Sequence, residues 1–271
     1  MSTAKSENKV QGMFASLAIP ICLAMGISIY MFVMGDPSNF EGGDPANHPV
    51  AEGTRHVLGL IHKGGFIVPI LLSLVLMNIT FSIERFLTIG KANGKTSAQV
   101  FIRKIKSALS SNNIAGATQE CDTQKGSVAN VIKSGLHKYQ EMSAATGIDK
   151  DQKVLAIQKE VEEATSLELP MLEKNLVIIA TMASVSTLIA LLGTVLGMIK
   201  AFSALATAGS PDSVALATGI SEALINTALG IGNSAIAIIM YNIFTSKIDA
   251  ITYTIDEAGF SIVQQFAASH K

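Results

Sequence analysis

The longest apolar run of this 271-residue chain carries one side chain able to titrate at neutral pH. Between Ser213 and Ser246 the only charged residue is Glu222, and it is accompanied by Thr218, Asn226, Thr227, Asn233 and Ser234. A charge at bilayer depth costs about 2.5–3.5 kcal/mol on insertion scales, so such a residue faces protein or water and is a functional candidate. Carboxylates titrate, while amides and hydroxyls donate and accept hydrogen bonds without carrying charge. Together they suit proton or ion movement. A self-contained carrier, however, buries several ionisable groups at mid-depth. Counted from Val214 at ~1.5 Å per residue, Glu222 lies only ~12 Å into its span. Either Glu222 does everything or the central titrating group comes from another chain, and the second is expected.

The neighbouring run, Leu176 to Ile199, has Thr181, Ser184, Thr187 and Thr194 with Ala190, Gly193 and Gly197 interleaved. Much of this falls on one side of a helix at steps of three, four and seven. In the last run Ala223, Thr227, Gly230 and Ser234 form a small-residue stripe, and Thr218, Glu222, Asn226 and Asn233 a more polar one. Small residues also let helices touch, and Ser or Thr hydroxyls bond back to their own carbonyls, so packing alone explains any single threonine. Polar faces on two adjacent spans point further, to one hydrated path or one groove for a partner helix.

These residues need a frame, and composition supplies it. The chain is 49% hydrophobic and only 15% charged, against about 25% charged in an ordinary soluble domain. Its net charge of −1 gives no reason to expect a nucleic-acid partner. Of 20 Lys and Arg, 13 fall between Glu84 and Lys174, which marks that interval as water-exposed. It lacks a glycine-rich phosphate loop, a nucleophile elbow and metal-ligand spacing, so no catalytic residue, cofactor or metal is expected. His48, His56 and His62 have no standard ligand spacing, and Cys22 and Cys121 fit neither a disulfide framework nor a metal site.

The expected organisation is an all-α membrane protein with four transmembrane helices, long helices extending into the cytoplasm, and a helical cytoplasmic domain. A basic lead, 1–11, precedes a span at 12–34, which is longer than the ~7–15-residue core of a cleaved signal peptide. Residues 35–65 form an outer loop with an amphipathic interfacial segment from Thr54 to Lys63. The second span, 66–83, ends at Glu84-Arg85, and residues 84–175 form the cytoplasmic helical domain. Helices are read at Ser97–Leu109, Asn112–Glu120 and Ser127–Met142. A long one from Asp149 to Lys174, kinked by Pro170, continues into the bilayer without a loop. The third span is 176–203, the connector 204–213, the fourth span 214–246 and the tail 247–271. Basic clusters then all lie on one side, placing both termini in the cytoplasm.

Leu191-Leu192-Gly193-Thr194-Val195-Leu196-Gly197-Met198 resembles the third-span signature of the ExbB/TolQ/MotA proton-channel family, with ExbB nearest. Ile220 to Gly230, ending at Tyr241-Asn242, resembles the fourth-span signature, and the layout matches from Phe66 to Lys247. The resemblance implies an inner-membrane motor subunit. Five copies would surround the helices of a two-copy ExbD-like partner whose membrane aspartate carries protons, driving a TonB-like protein that energises outer-membrane transport. Carried over by motif position, Thr194 and Thr227 match threonines facing the partner helix, and Glu222 the carboxylate at the outer mouth. Thr187, Asn226 and Ser234 are further partner-facing or pore-lining candidates. The sequence departs from the pattern at Thr187 and Ile236, where the family usually has proline, and at Ala190, where it has glycine. Asn226 and Asn233 stand where it favours alanine. The span at 12–34 is extra to the three-span plan. Competing readings are a TolQ-like envelope-maintenance role, a non-conducting scaffold for a partner helix, and a stand-alone channel.

Overall fold

The computed structural model describes residues 2–207 and 213–270, with the side chains of 2–13, 204, 205, 207 and 213 outside the description. Residues 208–212, half of the expected connector, therefore lie outside the described residues, as do the side chains of the basic lead. Among the described residues there is no strand, only an isolated bridge between Phe40 and Pro49. Nine α-helices are described, four of them in stretches long and apolar enough to cross a membrane. This is an all-α, multi-pass membrane protein.

The chain divides into two compact units. The first comprises Met1–Ile83 and Val177–Tyr241. Its first helix, α1 (Ser2–Ser28), runs into a π-helical segment, Ile29–Met34. Ala18 and Cys22 are buried, and a side-chain carbon on Gly26 would meet the Ser73 hydroxyl and the Pro69 carbonyl. These three small residues, four apart, give α1 a flat flank on α3 (Val68–Ala92). Cys22 Sγ lies 3.7 Å from Thr80 Oγ1, and the Phe14 ring meets Phe81 edge-on at 5.9 Å. Leu17, Met25 and Phe32 point away and stay exposed, which suits lipid. Asn39 caps the π-helical segment by donating to the Val33 and Met34 carbonyls. Helix α2 (Thr54–His62) follows, one residue short of the expected interfacial segment.

Helices α8 (Leu176–Thr207) and α9 (Ser213–Ser269) complete this unit. They approach through small residues. A side-chain carbon on Gly197 would lie 2.9 Å from the Gly219 carbonyl, and one on Gly230 would lie 2.6 Å from the Ser186 carbonyl. Ile67, Leu71 and Ala190 form a buried apolar centre. At 57 residues, α9 far exceeds the ~20 needed to cross a bilayer and absorbs both the fourth span and the tail.

The second unit comprises Glu84–Leu176 and Asn242–Lys271. Helices α4 (Ala98–Ser110), α5 (Ile114–Gln124), α6 (Gly126–Ala144) and α7 (Lys150–Glu173) lie within about four residues of their expected bounds. The end of α9 joins them. Phe101, Ile105, Leu136, Ile157, Ile262 and Phe266 are fully buried here, and Tyr139 donates to or accepts from Ser269 at 2.9 Å. Burial among these helices pushes the Cys121 thiol up to about 12, so it stays protonated and inert.

One expectation is corrected in its detail. The long helix runs towards the third span without a loop, but the kink falls at Lys174-Asn175 and not at Pro170: α7 ends at Glu173, and Asn175 adopts a positive φ of 30°. The cause is a fully buried Arg85. Its guanidinium donates to the Leu172 carbonyl at 3.0 Å and the Met171 carbonyl at 3.3 Å, satisfying carbonyls that a continuing helix would have bonded. Glu84 neutralises Arg85 and accepts from Asn175 at 3.1 Å and Thr88 at 3.0 Å. Pro170 lies inside α7 and does not end it.

Candidate functional site

The small-residue contacts set α8 antiparallel to α9 in a fixed register. Facing pairs of residues therefore recur one heptad along the two helices. In this register Thr194 meets Thr227, with Oγ1 atoms 2.5 Å apart. Each hydroxyl is also 3.0 Å from the carbonyl one turn before it, Ala190 for Thr194 and Ala223 for Thr227. A hydroxyl has one proton and two lone pairs. Only one threonine can donate across the pair while the other donates to its own carbonyl. The two arrangements interconvert by rotating both hydroxyls, with no charge created.

Thr194 borders an open groove with Val195, Met198, Ile199 and Phe202. One heptad away, Thr187 and Ser234 border a second groove with Ser184 and Tyr241. Among the described residues, neither lining contains a carboxylate. Four of the six sequence-predicted residues (Thr187, Thr194, Thr227 and Ser234) thus belong to one flank of the α8–α9 pair.

The other two turn inward. Glu222 is 8% exposed and pairs with Lys200 at 2.9 Å. Its carboxylate also fills the space that a side chain on Gly65 would take, and Gly65 has φ +78°. Asn226, predicted to face the partner or pore, is only 1% exposed. Its amide donates to the Gly64 carbonyl at 2.9 Å, while Oδ1 has no hydrogen-bond partner among the described residues. The reason is register: a glycine at 193 leaves room on α8 for the Asn226 side chain, 2.9 Å from where a carbon on Gly193 would stand.

Deeper along the same inward face, Asn233 accepts from Asn78 at 3.0 Å and donates to Ser186 at 2.8 Å. This bonds three helices through buried amides. Asn78 and Ser186 were not singled out from sequence. Asn78 stands as the one amide in the apolar run 66–83, and that signal could have found it.

The histidines do not share a site on these contacts. His56 bonds the Val50 carbonyl at 2.7 Å, and His62 stacks on Tyr30 with ring centres 4.5 Å apart. Burial holds His62 below the ordinary histidine range.

Residues 123–257, which include α8 and much of α9, match the MotA/TolQ/ExbB proton channel family. The Tol-Pal system protein TolQ of Pseudomonas aeruginosa is 32% identical over 133 residues, 49% of this chain and 56% of that protein. The biopolymer transport protein ExbB of Salmonella typhimurium is 31% identical over 85 residues, 31% of this chain and 35% of that protein. A putative biopolymer transport protein ExbB homolog of Methanothermobacter thermautotrophicus is 23% identical over 202 residues, 74% of this chain and 67% of that protein. The chain spans about half the length, or less, of the first of these curated relatives. With the threonine pair and the two span signatures in the matched stretch, this chain belongs to the MotA/TolQ/ExbB proton channel family.

Proposed function

We propose that this chain is a non-enzymatic, ion-driven motor subunit of the bacterial inner membrane, with both termini cytoplasmic. In this reading several copies, five by family resemblance, enclose an ExbD-like partner whose membrane aspartate carries the proton. Relative movement then drives a TonB-like protein to energise outer-membrane transport. The observation that carries the reading is the Thr194–Thr227 hydroxyl pair, 2.5 Å apart beside a groove with no carboxylate among its described lining residues. Such a pair can accept from and donate to a titrating acid but cannot hold the proton as a charge. The acid must come from elsewhere, and a partner helix in the groove would bring it.

A second reading, a TolQ-like envelope-maintenance motor, is favoured by the similarity to the Pseudomonas aeruginosa TolQ protein. Both readings share the ion path and differ in the load. The test is purification of the tagged full chain from its native membrane, with the companion chains identified. We expect a single-span companion with an aspartate in its span, and proton flux only when both are reconstituted together. Loss of outer-membrane uptake on deletion supports the first reading; a leaky envelope with intact uptake supports the second. Conduction by the chain alone, or a companion complex with no flux, sinks both.

A further inference from the structure

Asn226 lies beside Thr227, yet its side chain takes no part in the groove. It is wedged between two other elements: Gly193 on α8, the residue before Thr194, and the Gly64 carbonyl at the turn leading into α3. A carbon on Gly193 would come within 2.9 Å of Asn226 Cβ, Cγ and Nδ2, so only glycine lets α8 close to this distance. The amide therefore touches the neighbour of one threonine and belongs to the neighbour of the other. A residue serving only to fill this space would be apolar. Asn226 instead buries an Oδ1 that has no hydrogen-bond partner among the described residues, and its Nδ2 bonds Gly64. Burying an unmet acceptor is unfavourable; the bond to Gly64 is what the amide provides in return.

We infer that Asn226 is the positioning residue of the Thr194–Thr227 pair. By holding α9 to the Gly64 turn with its amide and to α8 through Gly193, it fixes the separation of the two hydroxyls. Glu222, one turn earlier against Gly65 and paired with Lys200, supports the same turn from the next layer. The inference rests on the ion-path reading only for its consequence. The geometry itself is measured separately.

The experiment uses the full chain in membranes with Cys22 and Cys121 replaced by alanine. One reporter carries cysteines at 194 and 227, and a control reporter carries cysteines at 187 and 234, one heptad along the same helix pair. Disulfide yield is compared for Asn226, Asn226→Ala and Asn226→Asp. The aspartate keeps the shape against Gly193 but replaces the amide donor. We expect both substitutions to lower the 194–227 yield at least about tenfold while the 187–234 yield holds, since a misplacement of about 1 Å can cost on the order of a hundredfold where reacting groups must meet closely. Unchanged yield at 194–227 in both variants overturns the inference, as does equal loss at both reporters, which would make Asn226 a general packing residue. Proton flux is then read in Asn226→Asp with the native threonines. A fall in yield with normal flux supports the positioning role and overturns the ion-path reading. A fall in both supports the two together.

Discussion

The groove-side file of α8 and α9 consists of hydroxyls bonded to their own helices or to each other, at Thr187, Thr194 and Thr227. The inward file, Ser186, Glu222, Asn226 and Asn233, bonds to other elements: α3, the Gly64 turn and Lys200. Both files occupy the same two helices at the same depth. A hydroxyl that back-bonds to its carbonyl costs little when left without a partner, so it can wait at an open groove. A primary amide has two donors and an acceptor to satisfy, and in lipid it must find them inside the protein. Small hydroxyls therefore suit a surface that a second chain visits. Amides suit the joint that keeps that surface in place.

If this division holds, substitutions should separate by file. Gly230→Leu strikes the contact that both files depend on, because its side chain would collide with Ala190 and the Ser186 carbonyl. We expect a loss of about 3 kcal/mol, the upper part of the usual overpacking range. Thermal unfolding in detergent would read it, along with loss of the 194–227 disulfide reporter. Asn233→Leu touches only the inward file, stranding Asn78 and Ser186. It should cost about 1–2 kcal/mol, since polar bonds between membrane helices are weaker than their isolation suggests. A neutral result would erase the distinction between the files.

The smallest effect concerns acid. The fold holds the His62 ring below its ordinary value of 6.5, chiefly by desolvation, with Tyr30 stacked on it and Lys63 adjacent. The neutral ring is the one favoured when folded. Its stabilisation is complete above the ordinary value and fades as pH falls below it towards the depressed one. Hydrogen-exchange protection of α2 should thus drop between about pH 7.5 and about pH 5, spanning the ordinary histidine range, and His62→Phe should remove the drop. Equal protection in the native chain at both pH values would count against the assignment.

Much of this was legible in sequence because spans announce themselves by length and by missing charge. The helices between Glu84 and Lys174 followed from apolar spacing, as at Val131, Leu136 and Tyr139 in α6. The candidacy of Thr194 and Thr227 followed from the motif resemblance; their contact with each other is what the structure adds. What stayed hidden depended on contacts between distant residues. The α7–α8 break needs Arg85 to reach carbonyls at 171 and 172, 86 and 87 positions away, and no local pattern encodes that. The inward turn of Asn226 was equally hidden. In a run apolar on every side, periodicity does not say which face meets protein and which meets lipid, and the deciding residue, Gly193, lies on another helix.

The most direct test is proton flux through this chain reconstituted with the companion proposed for it, comparing Thr227→Ser with Thr227→Val. Serine keeps the hydroxyl; valine keeps the shape and removes it. The account predicts near-native flux for serine and a fall of about a hundredfold or more for valine, the lower range of what a positioned proton-transfer group contributes, with unfolding temperature unchanged in both. Native flux in Thr227→Val would contradict it.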